Sequence, residues 1–292
     1  MSIPYDRDQH ALIFMHIGKT AGSTLGNIID RHYANDRLYV MMQDKDNETF
    51  AAQPEALRAR VEMIRGMTYY GIHRVIPRES RYFTLYRHPV DRVISQYFYV
   101  QRRKKRDNPA AKVQPLEGFL ERNPFHTQMQ LGLTVGADDK RLAQSQTLDS
   151  GHIAVAHANL ARHFSLVGTV DRFDEALILM KQRFGWHNIA YAKRNVAPED
   201  QRAKITAAQL RLIETMCALE IEFYEQVHAA FTVELRDQPP SFAREVEALQ
   251  SASRRYSLLW TATARLRRTP AWMAFRRRFR PTWTPWEDPD DA

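Results

Sequence analysis

The chain has 292 residues, 44% hydrophobic and 26% charged, which is enough apolar material for a sizeable core and excludes a disordered polymer. Its 42 Lys and Arg against 34 Asp and Glu, a formal charge of +8, point to an anionic partner among nucleotide, polyanionic sugar, nucleic acid and lipid surface. The single cysteine, Cys217, excludes a disulfide framework; with no signal-peptide pattern in "MSIPYDRDQH" and no apolar run of about 18 residues, the sequence predicts a cytoplasmic protein without a membrane span.

Taken in chain order, short β-rich runs alternate with longer helical patterns. The first run, "ALIFMH" at 11–16, reaches a Gly- and Thr-rich turn and then a helical pattern at 22–33. Further strands are predicted at 37–41, 67–72, 81–86 and 164–169, with helical patterns at 54–65, 89–104, 153–162, 171–184 and 205–232. This alternation predicts an α/β fold built on a mostly parallel sheet flanked by helices. "DQPPS" at 237–241 breaks the pattern, so the chain divides into an α/β domain at 1–236 and a basic, aromatic-rich helical extension at 237–292. Arg, Trp, Phe and Leu interleave in that extension. It reads as a helix docked on the domain, with a membrane-surface helix or a nucleic-acid-stacking segment as the alternatives.

Two strand-to-helix junctions carry anion-binding chemistry. In "GKTAGST" at 18–24 the free amides of a helix start and its dipole join the mobile charge of Lys19. The ATP-binding pattern G-x-x-x-x-G-K-[ST] fits only in its second half, because Ile13 stands where its first glycine belongs. In "RYFTLYRHPVDRVISQYFY" at 81–99, Pro89 suits a first helical turn, putting Arg87 at the strand end and Ser95 about 9 Å further along the helix. Arg92, Ser95 and Tyr99 share a helix face, while Val90, Val93, Ile94 and Tyr97 are placed to face the sheet.

Together, "FMHIGKTAGSTL", "YRHPVDRVISQYFY" and "NLARHFSLVGTVDRFDEALILMKQRFGW" (159–186) resemble three ordered motifs of the sulfotransferases, in the version used by the carbohydrate (heparan or uronyl) 2-O-sulfotransferase-like family. The resemblance spans roughly residues 11–200 and implies a P-loop-kinase-like parallel sheet and 3′-phosphoadenosine 5′-phosphosulfate (PAPS) as sulfate donor, with no metal. By the same resemblance Lys19, Thr20, Ala21, Gly22, Ser23 and Thr24 would cradle the 5′-phosphosulfate, and Arg87 and Ser95 the 3′-phosphate. Ala21 departs from the usual glycine, and "NPFHTQMQLG" (123–132) follows the acceptor-side pattern only loosely.

Sulfuryl transfer to a hydroxyl asks for positioning and charge stabilisation, with Lys19 acting on the bridging oxygen and a histidine as general base. His73 in "YYGIHRVIP" resembles the family's Gly-His segment and follows a predicted strand, so it is the expected base. His16 is expected to pack beneath the loop, His126 is an acceptor-side alternative, and His88 shapes a turn. The basic run "QRRKKRD" at 101–107 reads as a solvated helix end or as a rim for an acidic acceptor. The expected partners are PAPS or its product and a hydroxylated acceptor, which the resemblance implies is a glycan; nucleic acid is not expected. Peripheral contact with the inner membrane surface would run through the extension. The rival classes are a P-loop-type kinase, for which Asp171 is the one Mg²⁺-ligand candidate, and a non-catalytic polyanion-binding protein.

Overall fold

Five short runs rich in β-branched, aromatic and other apolar residues form one parallel sheet: β1 (Ala11–Met15), β2 (Leu38–Met41), β3 (Met63–Gly66), β4 (Ser80–Tyr86) and β5 (Phe164–Thr169). The computed structural model describes residues 3–42, 45–136, 148–192, 199–263 and 269. The strand order is β2-β3-β1-β4-β5 and every pairing is parallel. A parallel sheet is covered on both faces by its crossover helices. That is why all five residues of β1 are buried and why it reads as an unbroken apolar run.

The described helices are α1 (Gly22–Ile29), α2 (Lys45–Ala51), α3 (Glu55–Arg60), α4 (Pro89–Asp107), α5 (Leu116–Arg122), α6 (Met129–Val135), α7 (Ser150–His163), α8 (Phe173–Phe184), α9 (Ala207–Met216), α10 (Ala218–Arg236) and α11 (Ser241–Ala262). Alternation along β1 divides the core. Leu12 and Phe14 point into a layer with α1, α8 and α11, whereas Ala11, Ile13 and Met15 point into a layer with α6, α7 and α10. A third cluster lies beside the sheet, where Val90, Val93, Ile94 and Tyr97 of α4 pack on α5, Ile213 and Cys217 rather than on the strands. Cys217 is a buried free thiol pushed up to about 12 by burial, hence inert.

Several predicted boundaries are corrected. The strand expected at 67–72 lies instead at Met63–Gly66, overlapping the end of the predicted helix 54–65, of which only α3 forms. Gly66 sits at φ 133°, and a Cβ there would lie 1.8 Å from the Met41 carbonyl oxygen, so only glycine lets β3 meet β2 at this edge. The aromatic run that follows leaves the sheet and enters a 3₁₀ turn at Ile72–Val75. The long helix expected at 205–232 is two, breaking at Cys217.

Beyond the boundary predicted at 236/237, α11 docks on the preceding helices. Phe242 and Leu249 of α11 share a core cluster with α8 and Trp186, Lys181 pairs with Glu245 at 2.9 Å, and the Tyr191 amide donates to Ser253 Oγ at 3.2 Å. Residues 264–268 and 270–292, which hold most of the Arg- and Trp-rich tail, lie outside the described residues. Among the described residues, no helix is long and apolar enough to cross a membrane.

Candidate active site

The turn after β1 is held in an uncommon backbone conformation. Lys19 and Ala21 both take left-handed φ values, 72° and 63°, which cost L-residues on the order of 1–2 kcal/mol each. Such conformations persist where the surroundings over-determine them, and they cluster at ligand sites. Thr20, between the two, is fully buried and its hydroxyl donates to the Ile17 carbonyl at 2.8 Å. Ala21 is the N-cap of α1 and supplies no side-chain cap; the first helical bond runs from the Leu25 amide to the Ala21 carbonyl at 3.1 Å. The amides of Gly22, Ser23 and Thr24 therefore belong to the first helical turn, at the positive end of the dipole.

His16 forms the floor of this turn. A Cβ on Gly22 would lie 1.8 Å from His16 Nε2, so the glycine is required by the ring beneath it. The ring stacks on Phe14 at 5.5 Å, and burial, then Arg65 and Lys19, lower its pKa to about 4, leaving it neutral near pH 7. Arg65 on β3 ties α1 down through a two-pronged pair with Asp30, at 2.7 and 2.9 Å.

The second junction joins the first. Arg87 follows β4, and its guanidinium donates to the Lys19 carbonyl at 3.3 Å, so the two anion-binding segments meet at one sheet edge. Lys19 Nζ lies 4.1 Å from the centre of the Tyr99 ring, one turn along α4 from the buried Ser95. Burial lowers the Arg87 pKa, with Asp91 opposing.

The Arg87 backbone is clamped by a side chain that sequence reading missed. Gln130 accepts from the Arg87 amide and donates to its carbonyl, both at 2.9 Å. Gln130 is in turn held by Glu220, which accepts from its side chain at 3.2 Å and its amide at 2.8 Å. Glu220 faces Arg92 at 3.5 Å with both side chains fully buried. Arg92 therefore belongs to the core and not to the anion-binding face it was expected to share with Ser95 and Tyr99.

His73 lies in the 3₁₀ turn Ile72–Val75. Its Nδ1 and its amide contact the Tyr82 hydroxyl at 2.9 and 3.1 Å, and its ring stacks on His163 at 4.5 Å. Tyr82 pairs with Ile13 in mid-sheet, and His163 ends α7 just before β5 begins. From Tyr82 to Tyr86, which precedes Arg87, the strand runs about 13 Å toward the other edge. His73 therefore follows no strand directly: its 3₁₀ turn lies between β3 and β4, whereas the predicted strand at 67–72 would have put it at a strand end. Burial, then His163 and Arg74, lower the pKa of His73 to about 4.

The remaining candidates are structural in their contacts. His126 stacks on Phe119 at 5.4 Å and its carbonyl accepts from Arg92. His88 is the N-cap of α4 and meets Tyr224 edge-on at 5.4 Å. Asp171 accepts from Tyr224 at 3.2 Å and pairs with His228 at 3.0 Å. Ile13 is fully buried in β1, so the longer ATP-type loop has no room there. Among the described residues, no group of three or more His, Cys, Asp or Glu is placed to hold a metal ion.

Beside the loop, a shallow open cleft of about 20 Å³ lies between α1 and α11. Thr24, Asn27, Ile28 and Arg31 form one wall; Tyr191, Tyr256 and Trp260 form the other. Tyr256 and Trp260 stack at 6.0 Å, and Arg31 sits over Tyr256 at 5.5 Å. Arg31 Nε is buried without a hydrogen-bond partner.

Over residues 4–283 the chain matches the family described as Galactose-3-O-sulfotransferase. The chain belongs to the galactose-3-O-sulfotransferase family. It is thereby a member of a family of sulfotransferases. The expected class of enzyme holds, whereas the expected carbohydrate 2-O-sulfotransferase-like type is replaced by the galactose-3-O type. Among its relatives, galactose-3-O-sulfotransferase 2 of Mus musculus is 22% identical over 271 residues, covering 83% of this chain and 68% of that protein. Galactose-3-O-sulfotransferase 3 of Homo sapiens is 26% identical over 257 residues, covering 77% and 57%. A solved structure it resembles is that of mouse sulfotransferase SULT7A1 complexed with PAP, at 13% identity and TM-score 0.32, covering 85% of this chain and 90% of that one.

Proposed function

We propose that this protein transfers a sulfuryl group from PAPS to a hydroxyl of a galactose-containing carbohydrate. The observation that carries the proposal is the Arg87–Lys19 contact, which brings a loop suited to a terminal anionic group and an arginine suited to a second phosphate to one sheet edge. Family membership supplies the reaction class.

In this reading Lys19 and the amides of Gly22, Ser23 and Thr24 hold the 5′-phosphosulfate, with Thr20 and Ala21 shaping the turn. Arg87 and Ser95 hold the 3′-phosphate. The aromatic surfaces of Tyr256 and Trp260, across from Thr24, are where the planar base would stack. PAPS supplies the activated sulfuryl group. The bond from the bridging oxygen to sulfur breaks as the acceptor oxygen bonds to sulfur, and the bridging oxygen gains negative charge. Lys19 and the helix dipole stabilise that charge. His73 is bonded to Tyr82 in mid-sheet and His16 is sealed under Gly22, so this reading assigns the acceptor proton to neither. The proton of the acceptor hydroxyl passes to solvent water as its oxygen bonds to sulfur, and the reading rests on charge stabilisation at the bridging oxygen.

Incubation with PAPS carrying labelled sulfate and a panel of galactosides tests it. Label should appear on the sugar with wild type and be lost with Lys19→Ala. Label on no carbohydrate, with release only as free sulfate, rejects the proposal.

A further inference from the structure

The basic run at the end of α4 finds a role once the site is in place. Arg102, Arg103, Lys104, Lys105 and Arg106 are all exposed. Between residues 102 and 112 six cationic side chains meet one carboxylate, Asp107. That carboxylate is shared by Arg103 at 3.9 Å and Arg106 at 3.5 Å, and Lys104 donates to Gln114. Among the described residues, no carboxylate pairs with Arg102 or Lys105.

A solvated helix end needs no such excess, and the position of this run is specific. Ser95, Tyr99, Arg102, Arg103 and Arg106 follow one face of α4 at helical spacing. Tyr99 carries Lys19 on its ring at 4.1 Å. Arg103 is one turn beyond Tyr99, about 6 Å along the axis, and Arg106 about 10 Å. The positive surface thus begins where the phosphosulfate loop ends, on the side of Lys19 away from Ser95 and the proposed 3′-phosphate. An acceptor whose hydroxyl reaches the transferring group would lay its neighbouring sugars across it.

We infer that the acceptor is an acidic oligosaccharide, carrying carboxylate or sulfate groups on sugars adjoining the one that is sulfated, and that Arg102 and Arg103 read those groups. This inference rests on the proposed PAPS-dependent transfer. At separations below the screening length of about 10 Å at 0.1 M salt, such charges act strongly on encounter and orientation, and less so as salt rises.

The test offers wild-type protein and labelled PAPS two disaccharides: a neutral β-galactoside, and the same compound with a carboxylate or a sulfate on the neighbouring sugar. The acidic compounds should show kcat/KM at least about tenfold higher at low salt, with the advantage shrinking toward 0.5 M NaCl. Arg102→Gln combined with Arg103→Gln should cut the acidic-to-neutral ratio about fivefold, the size expected for two exposed ion pairs. The carboxylate and sulfate arms show which anion is read. Equal use of neutral and acidic compounds, or labelling of neither although 3′-phosphoadenosine 5′-phosphate (PAP) binds, overturns the inference. So does a double variant that loses binding to anionic lipid vesicles or to RNA while keeping its acceptor ratio. Failure of PAP to bind at all would instead overturn the donor reading.

Discussion

The two ends of the sheet hold the same kinds of residue to different purposes. At the carboxyl ends of β1 and β4, Lys19 and Arg87 are cations held beside strained backbone and the start of a helix, with Gln130 fixing the Arg87 main chain. Toward the other end, His73 and His163 stack, and each bonds to a tyrosine: His73 to Tyr82 at 2.9 Å, His163 to Tyr70 at 2.8 Å. The first arrangement leaves charge available to a ligand. The second satisfies its polar atoms internally and lowers the pKa of both imidazoles through burial. A histidine with suitable intrinsic chemistry is therefore not a base unless the topology delivers it to the site.

The largest expected difference between the ends is catalytic. Lys19→Ala should lower kcat by about 10²–10³-fold, as for loss of one group stabilising developing charge, while His73→Ala should stay within about threefold of wild type. Steady-state kinetics with saturating PAPS checks both. A His73→Ala protein that folds normally and loses rate like Lys19→Ala would erase the contrast.

Next in size is the clamp. Gln130→Ala removes both bonds to the Arg87 backbone, so KM for PAPS should rise about tenfold, the scale of a small misplacement, with kcat changed less. Unchanged KM would mean that Arg87 is held without Gln130.

The histidine end should show itself in stability against pH. Unfolded histidine titrates near 6.5, whereas His73 in the folded protein has a pKa lowered to about 4. The unfolded chain then binds protons that the folded one refuses, so the stability is present above about pH 6.5 and is lost as pH falls toward 4. Thermal melts from pH 7.5 to 4.5 should fall less steeply for His73→Ala than for wild type. Parallel curves would contradict the burial of this ring.

The smallest effect concerns the loop backbone. Ala21→Gly relieves a left-handed φ of 63° and should add about 1 kcal/mol, roughly 2–4 °C in Tm for a domain of this size. No gain, or a loss, would show that the flexibility returned to the unfolded chain outweighs the relieved strain.

Much of this was legible in the residues. Four of the five strands and the crossover helices followed from hydrophobic period, and the two anion-binding junctions followed from Gly, Thr, Lys and Arg set where strands meet helices. What was not legible depends on long-range geometry. The aromatic run at 67–72 has better β character than "MIRG", yet Met63–Gly66 is the segment that pairs with both β1 and β2. That slip put His73 directly after a strand, whereas it lies in a 3₁₀ turn. Gln130 and Glu220 lie 90 residues apart, and nothing local marks them as partners. After "DQPPS" a docked helix was expected, but that α8 is the element it docks on, through Phe242 and Leu249, shows only in the packed structure.

The central claim, that one sheet edge grips both phosphates of a 3′-phosphorylated nucleotide, is tested most directly by calorimetric titration of PAP and of AMP into wild-type protein and Arg87→Gln. The account predicts that PAP binds wild type roughly 100-fold more tightly than AMP, since charge-assisted bonds from Arg87 and Ser95 to the 3′-phosphate are worth about 3 kcal/mol together. Arg87→Gln should remove most of that preference. Equal affinity of wild-type protein for the two nucleotides would contradict the claim.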